Sequence, residues 1–189
     1  LPILDASVDA LPAVSARVSL REFLDYSAAT PLDVQQRGYV DVFDLSRKHA
    51  LYLSYWTDGD TRRRGEILGR FKQRYRASGF LVDTHGELTD FLPLVLEYAA
   101  IADPVDGLVL LQEYRASIEL LRFALTDAKT PYARVVEAVC STLPGVSPAD
   151  RAAVHRMAAA GPPREEVGLD AYDPRLLPLA GVPTAGGPS

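Results

Sequence analysis

Much that would announce a chemistry is scarce in this 189-residue chain. Its one cysteine, Cys140, excludes an internal disulfide and any multi-cysteine zinc or iron–sulfur site. The three histidines, His49, His85 and His155, have no second histidine or carboxylate at metal-ligand spacing, so each reads as a surface or packed residue. There is no glycine-rich phosphate loop and no serine or cysteine in a nucleophile motif, and neither a metal nor a cofactor is expected. No apolar run approaches the roughly 20 residues a membrane-spanning helix needs, so no direct membrane insertion is expected. The start, Leu1 to Asp5, lacks the basic flank and apolar core of a secretory signal, which points to a reducing, cytoplasmic setting. The chain opens on Leu rather than Met, leaving room for residues upstream. A formal charge of -5 argues against a nucleic-acid binder, because phosphate neutralisation makes such proteins basic.

What is present is an ordinary globular composition, 48% hydrophobic and 24% charged, enough for one core in one domain. The stretch organising it is Phe91 to Ala102, apolar on nearly every side as a buried helix is, with Thr89 or Asp90 to cap it and Pro93 tolerable near its start. Around it the punctuation repeats. Pro12 precedes a periodic run through Val14, Val18, Phe23 and Tyr26, and Thr30-Pro31 starts a helix carrying Val34, Tyr39, Val40 and Phe43. Asp44 is expected to cap a helix from Leu45 to Trp56, and Asp60 one that runs to Ser78 with Gly79 just past its end. Pro104 to Thr126 reads as one long amphipathic helix, Thr130-Pro131 opens another to about Leu143, and Ser147-Pro148 a last one to Gly161. No period of two persists, so the expectation is an all-α, single-domain bundle of about eight helices around a buried central helix. Residues 161–189, with six prolines and five glycines, read as a tail on a helical domain of residues 1–160.

Two clusters stand out. Between Asp60 and Arg76 the chain carries +5, so the remainder is -10, and Arg62, Arg63 and Arg64 crowd a helix N-terminus where the macrodipole disfavours cations. With Asp60 they form either a fixed, paired turn or a docking edge for an acidic or phosphate-bearing partner. The second cluster mixes aromatic and acidic residues: Tyr39, Asp41, Phe43, Asp44, Tyr52, Tyr55 and Trp56, then Glu87, Asp90, Phe91 and Tyr98. Aromatics edged by carboxylates between helices make a groove for a basic amphipathic segment. Glu87 and Asp90 flank the start of the central helix, where capping is the preferred reading and a general acid/base pair the alternative. Cys140 is expected to pack in the core beside Val136 and Val139.

The runs Tyr39-Val40-Asp41-Val42-Phe43-Asp44-Leu45-Ser46-Arg47, Leu51-Tyr52-Leu53, Gly59-Asp60-Thr61-Arg62-Arg63-Arg64-Gly65 and Asp90-Phe91-Leu92-Pro93-Leu94-Val95-Leu96-Glu97-Tyr98 resemble the NarJ family, within the wider TorD and DmsD group. The likeness is dense from about Tyr39 to Ala100 and looser to about Ala159. It implies a TorD-like, all-helical, non-enzymatic chaperone. Such a chaperone binds the N-terminal segment of the nitrate reductase alpha (catalytic) subunit and assists molybdenum cofactor insertion before membrane docking. The group's Glu-Pro-x-Asp-His motif appears here as Glu87-Leu88-Thr89-Asp90-Phe91, keeping both acids but replacing the proline and the histidine, so no role of that histidine carries over. Members usually begin with a further helix, which leaves a monomer or a domain-swapped homodimer as the expected state.

Combined, these readings place a client-binding groove between the core helix and the helices starting at Thr30 and Asp60. Asp41, Asp44, Glu87 and Asp90 would take the basic face of the client segment, and Phe43, Tyr52 and Phe91 its apolar face. A second contact would involve Asp60, Arg62, Arg63 and Arg64. The alternatives are a small helical enzyme or cofactor binder using Glu87, Asp90 and His85, and a nucleic-acid-binding regulator acting through the basic helix.

Overall fold

Helix α1 (Pro2–Asp9) lies against α2 (Val14–Ala29), pinned by Arg21, whose guanidinium reaches Asp5 Oδ1 at 2.7 Å and also pairs with Asp9. The computed structural model describes residues 2–58, 62–80, 82–84 and 86–160. Helix α3 (Leu32–Tyr39) follows Pro31 and continues without a break into a π-helical turn, Val40–Asp44. After the short α4 (Tyr55–Asp58) come α5 (Arg62–Ala77) and the central α6 (Leu92–Glu97), the latter extended by a second π-helical turn, Tyr98–Ala102. The chain then forms α7 (Pro104–Glu113), α8 (Arg115–Asp127), α9 (Tyr132–Thr142) and α10 (Arg151–Ala160). The fold is all-α, as the spacing of apolar residues implied, with one isolated antiparallel bridge, Tyr52 to Phe91, among the described residues.

The core gathers Phe71 and Tyr75 of α5, Leu92, Val95 and Tyr98 of the central element, and the inner face of α8. Helix α9 packs between α2 and α8, and α10 closes over α8. The central helix is less enclosed than its composition suggests. Leu92, Leu94, Val95 and Tyr98 are buried, but Ile101 is 67% exposed. The most enclosed helix is α8, which buries Ile118, Leu121 and Leu125 together with the polar Arg115, Ser117 and Glu119.

Five expectations give way to local chemistry. The helix anticipated over Leu45 to Trp56 is absent: Ser46 caps a 3₁₀ turn at Arg47–His49, Ala50 to Tyr52 leave helical structure altogether, and Leu53 and Ser54 form a turn before α4. There Leu53 N donates to Asp90 O at 3.0 Å and Leu92 N to Leu51 O at 2.8 Å, so pairing with the segment before α6 outweighs helical propensity. This pairing also points Leu53 into the core and Tyr52 toward Phe91. The helix over Pro104 to Thr126 is interrupted at Tyr114 (φ -99°, ψ 16°), whose ring packs on Phe71 with centroids 4.9 Å apart. Neither Thr89 nor Asp90 caps α6. Phe91 occupies the cap position without a side-chain bond, Thr89 Oγ1 donates to Leu68 O, and Asp90 turns back toward Ser54. The last helix opens not at Ser147-Pro148 but after Asp150, whose carboxylate accepts from Ala153 N at 2.7 Å. Finally, α1 forms where no helix was assigned, its eight residues too short to show a clear apolar period.

Elsewhere the punctuation holds. Asp103 caps α7 by accepting from Val105 N and Asp106 N, with Pro104 first in the helix, and Gly79 takes the left-handed conformation (φ 79°) just past α5. Gly107 is required by contact: a Cβ there would lie 2.3 Å from the Cα of Ala99, so its absence is what lets α7 seat against the second π-turn. The expected caps at Asp60 and Gly161, the loop residue His85, and the tail 161–189 lie outside the described residues.

Candidate functional site: an aromatic cleft beside a sealed carboxylate

The non-helical segment Ala50–Leu53 and the first π-turn together open a cleft of about 410 Å³. Its lining includes Tyr39, Phe43 and Asp44, then Tyr52, Tyr55 and Arg64, then Glu87, Leu88 and Phe91. A π-turn widens the helix by one residue and shifts the side chains that follow it. Here the Tyr39 and Phe43 rings lie tilted against each other at 4.9 Å between centroids, with Tyr132 of α9 edge-on to Phe43 at 5.0 Å. In the same lining Tyr52 and Phe91, partners in the bridge, hold their rings 5.6 Å apart. Such offset and tilted aromatic contacts leave ring faces free to bury an apolar side chain.

The carboxylates divide into two kinds. Glu87 and Asp44 are exposed at the rim. Glu87 Oε2 accepts from Tyr52 Oη at 2.6 Å, and that bond, aided by burial, pushes the Tyr52 phenol up to about 12. Burial, with Asp44 and Glu87 nearby, also raises the Tyr39 phenol. Asp90 is wholly buried beneath the cleft (0% exposed), and its Oδ2 accepts from Ser54 N at 3.0 Å and from Ser54 Oγ at 2.6 Å. Between Asp90 and the cleft lies Arg64, the third residue of α5. Its Nε donates to Ser54 Oγ at 3.3 Å, its Nη2 stands 3.9 Å from Asp90 Oδ2, and its Cζ lies 5.6 Å and 5.9 Å from the ring centroids of Tyr52 and Tyr55.

Of the client-binding residues named from the sequence, Phe43, Asp44, Tyr52, Glu87 and Phe91 meet at this cleft. Asp41 does not: it lies exposed on the π-turn, away from the lining. Asp90 sits below the lining and cannot touch a ligand while Arg64 covers it. In the basic cluster, Arg64 turns inward while Arg63 is exposed on α5; Asp60 lies outside the described residues. Sequence reasoning missed Ser54 and Arg47, and it named Tyr39 and Tyr55 in the aromatic cluster without assigning them to the site. Ser54 was findable in principle, since a buried carboxylate needs donors, but nothing local marks it as Asp90's partner 36 residues away.

His49 is a packed histidine, buried with Nδ1 at 3.0 Å from Val42 O, and His155 is exposed. Cys140 packs in the core as expected, and burial pushes its thiol far above the ordinary range, which leaves it inert. Among the described residues no group of three or more His, Cys, Asp or Glu side chains could hold a metal ion, and no helix is long and apolar enough to cross a membrane.

Known proteins resemble this chain in sequence. The chain is 51% identical over 114 residues to the nitrate reductase-like protein NarX of Mycobacterium tuberculosis (strain H37Rv), a stretch covering 60% of this chain and 17% of NarX. It is 30% identical over 146 residues to the probable nitrate reductase molybdenum cofactor assembly chaperone NarJ of Bacillus subtilis (strain 168), covering 77% of this chain and 79% of that one. Over 109 residues it is 30% identical to the nitrate reductase molybdenum cofactor assembly chaperone NarJ of Escherichia coli (strain K12), 58% of this chain and 45% of that protein. The family profile described as nitrate reductase delta subunit matches residues 9–137, which include every residue of the cleft, and the chain belongs to that family.

Proposed function

We propose that this chain is a molybdenum cofactor assembly chaperone for a nitrate reductase, and that its aromatic cleft receives the N-terminal segment of the reductase catalytic subunit. The two NarJ relatives carry that chaperone role in their names, and the cleft gives it a physical means. The observation that carries the reading is the pairing of ring faces from Phe43, Tyr52 and Phe91 with the rim carboxylates Asp44 and Glu87. An amphipathic segment would bury its apolar side chains on the rings and set its basic ones at the rim, the helix-in-groove mode of recognition. The role asks for no bond-making by the chain itself and is exercised in the cytoplasm. An acid/base pair of Glu87 and Asp90 is disfavoured by geometry, because Asp90 is sealed under Arg64. Arg63 and its neighbours at the start of α5 would offer the folded client a second contact.

Titration calorimetry with a synthetic peptide of the catalytic subunit's N-terminal segment, at two salt concentrations, tests the proposal. Micromolar or tighter binding, at least about -8 kcal/mol, that weakens with salt is expected. Absence of binding to the full chain at either salt concentration would overturn the assignment of the cleft.

A further inference from the structure

We infer that Asp90, Ser54, Tyr52 and Tyr55 form a binding site for a guanidinium or alkylammonium side chain of the client segment, and that Arg64 is the internal occupant this cation replaces. The inference rests on the reading above for the source of the incoming cation, but the site itself is argued from its own geometry.

A buried carboxylate is normally satisfied on both oxygens and, when ionised, closely paired. Asp90 is neither. Oδ1 has no hydrogen-bond partner among the described residues, and the nearest guanidinium nitrogen is 3.9 Å from Oδ2, well beyond the roughly 2.7–2.9 Å of a direct charge-assisted bond. Arg64 therefore neutralises the site without closing it. The remaining walls also suit a cation: two tyrosine rings within about 6 Å of its charge centre, and Ser54 Oγ, which donates to Asp90 and accepts from Arg64. Arg64 approaches from the cleft side and is itself part of the lining, so when it swings outward it exposes Asp90 to whatever occupies the cleft. A basic side chain seated there could make the short contacts that the fixed backbone of α5 denies to Arg64. Asp90 is paired both before and after the exchange, so neither end state carries the large cost of an uncompensated buried charge.

The test uses the full chain as wild type, Arg64→Ala, and Arg64→Ala with Asp90→Asn; Arg64→Gln replaces Arg64→Ala if the latter does not fold. N-ethylguanidinium, compared with sodium chloride at equal ionic strength, is the probe. It is expected to raise the melting midpoint of Arg64→Ala by about 3 °C, saturably, and to leave wild type and the double variant unshifted. The same response in the single and double variants, or none in the single variant, would overturn the site. The client's use of it is read separately. The N-terminal peptide should bind Arg64→Ala about tenfold more tightly than wild type, and a version with its basic residues replaced by glutamine should lose that gain. Equal affinity of the two peptides for Arg64→Ala would overturn the exchange. A peptide that binds no form of the chain would instead sink the chaperone reading, leaving the ethylguanidinium response intact.

Discussion

Among the described residues two carboxylates are buried completely, Asp90 and Glu119, and they are surrounded differently. Glu119 sits mid-way along α8 between Arg115, one turn before it, and Arg122, one turn after: Arg122 Nε reaches its Oε2 at 2.7 Å, while Arg115 Nε stands 3.7 Å from its Oε1, which like Asp90 Oδ1 accepts no hydrogen bond from the described residues. The outer nitrogens of both arginines donate to backbone carbonyls of the loop between α9 and α10: Arg115 to Pro144 and Gly145, Arg122 to Pro148. All three ionic groups thus belong to one rigid helix, and their surplus donors tie down a loop. Asp90 instead takes its bonds from Ser54, on a separate segment, and faces a cation that reaches it from α5 at the edge of a cleft. Two carboxylates of equal burial thus serve different ends: one braces the body, and the other is poised at a surface that can change occupant. Burial alone does not distinguish structure from function here; what distinguishes them is whether the counter-charge can leave.

That contrast is broken most forcefully at Glu119. Glu119→Ala would leave the buried Arg115 and the partly buried Arg122 without their carboxylate and is expected to cost about 3–5 kcal/mol, lowering the melting midpoint by roughly 10 °C in a domain of this size. Peptide affinity, measured where the variant is still folded, should not change; a loss of affinity comparable to that at the cleft would erase the distinction. Asp90→Asn keeps the volume and an acceptor for Ser54 but removes the charge facing Arg64. Its expected cost is about 1–3 kcal/mol by thermal melting, accompanied, unlike Glu119→Ala, by weaker peptide binding.

The two regions also differ in how much the sequence discloses. Around Glu119, apolar residues recur every three or four positions, so the inner face of α8 with Ile118, Leu121 and Leu125 is legible, as is the extent of α9, although the break at Tyr114 where α8 begins is not. At the cleft, the residue types Phe43, Tyr52, Glu87 and Phe91 are visible, but their arrangement depends on non-local events. The non-helical run at Leu51–Leu53 exists because Asp90 O and Leu92 N are there to pair with it, and the π-turn at Val40–Asp44 has no sequence signature that would announce it. Asp90 reads locally as a helix cap, since an acid just before a helix is usually one. It fails to be one because Ser54, far along the chain, offers two donors at once. Arg64 reads as one of three equivalent arginines, and only folding singles it out.

A smaller effect is expected at Tyr52, where the comparison turns on a neutral donor. The phenol, raised to about 12 by its bond to Glu87, holds its proton more tightly in the folded chain than in the unfolded one, where it ionises near 10. Its stabilisation is therefore fully present below about pH 10 and is lost as pH rises toward 12. Tyr52→Phe should lower stability by about 0.5–1.5 kcal/mol at pH 7, and its difference from wild type in melting midpoint should shrink steadily between about pH 10 and 12. A difference that stays constant across that window would mean the Glu87 bond does not form in solution.

The smallest change in stability belongs to Glu87, which is exposed and pairs only at the rim. Glu87→Gln still accepts a hydrogen bond from Tyr52, so its stability should stay within about 0.5 kcal/mol of wild type. Binding is the sensitive readout. Loss of one rim carboxylate should weaken the N-terminal peptide several-fold at low salt and reduce the salt dependence of affinity, because an exposed charge acts mainly through a screened, long-range attraction. Glu87 and Glu119 then stand at opposite ends of a single scale, one moving affinity without stability and the other stability without affinity. Asp90 should move both, as a group that is part of the fold while Arg64 covers it and part of the site once Arg64 leaves.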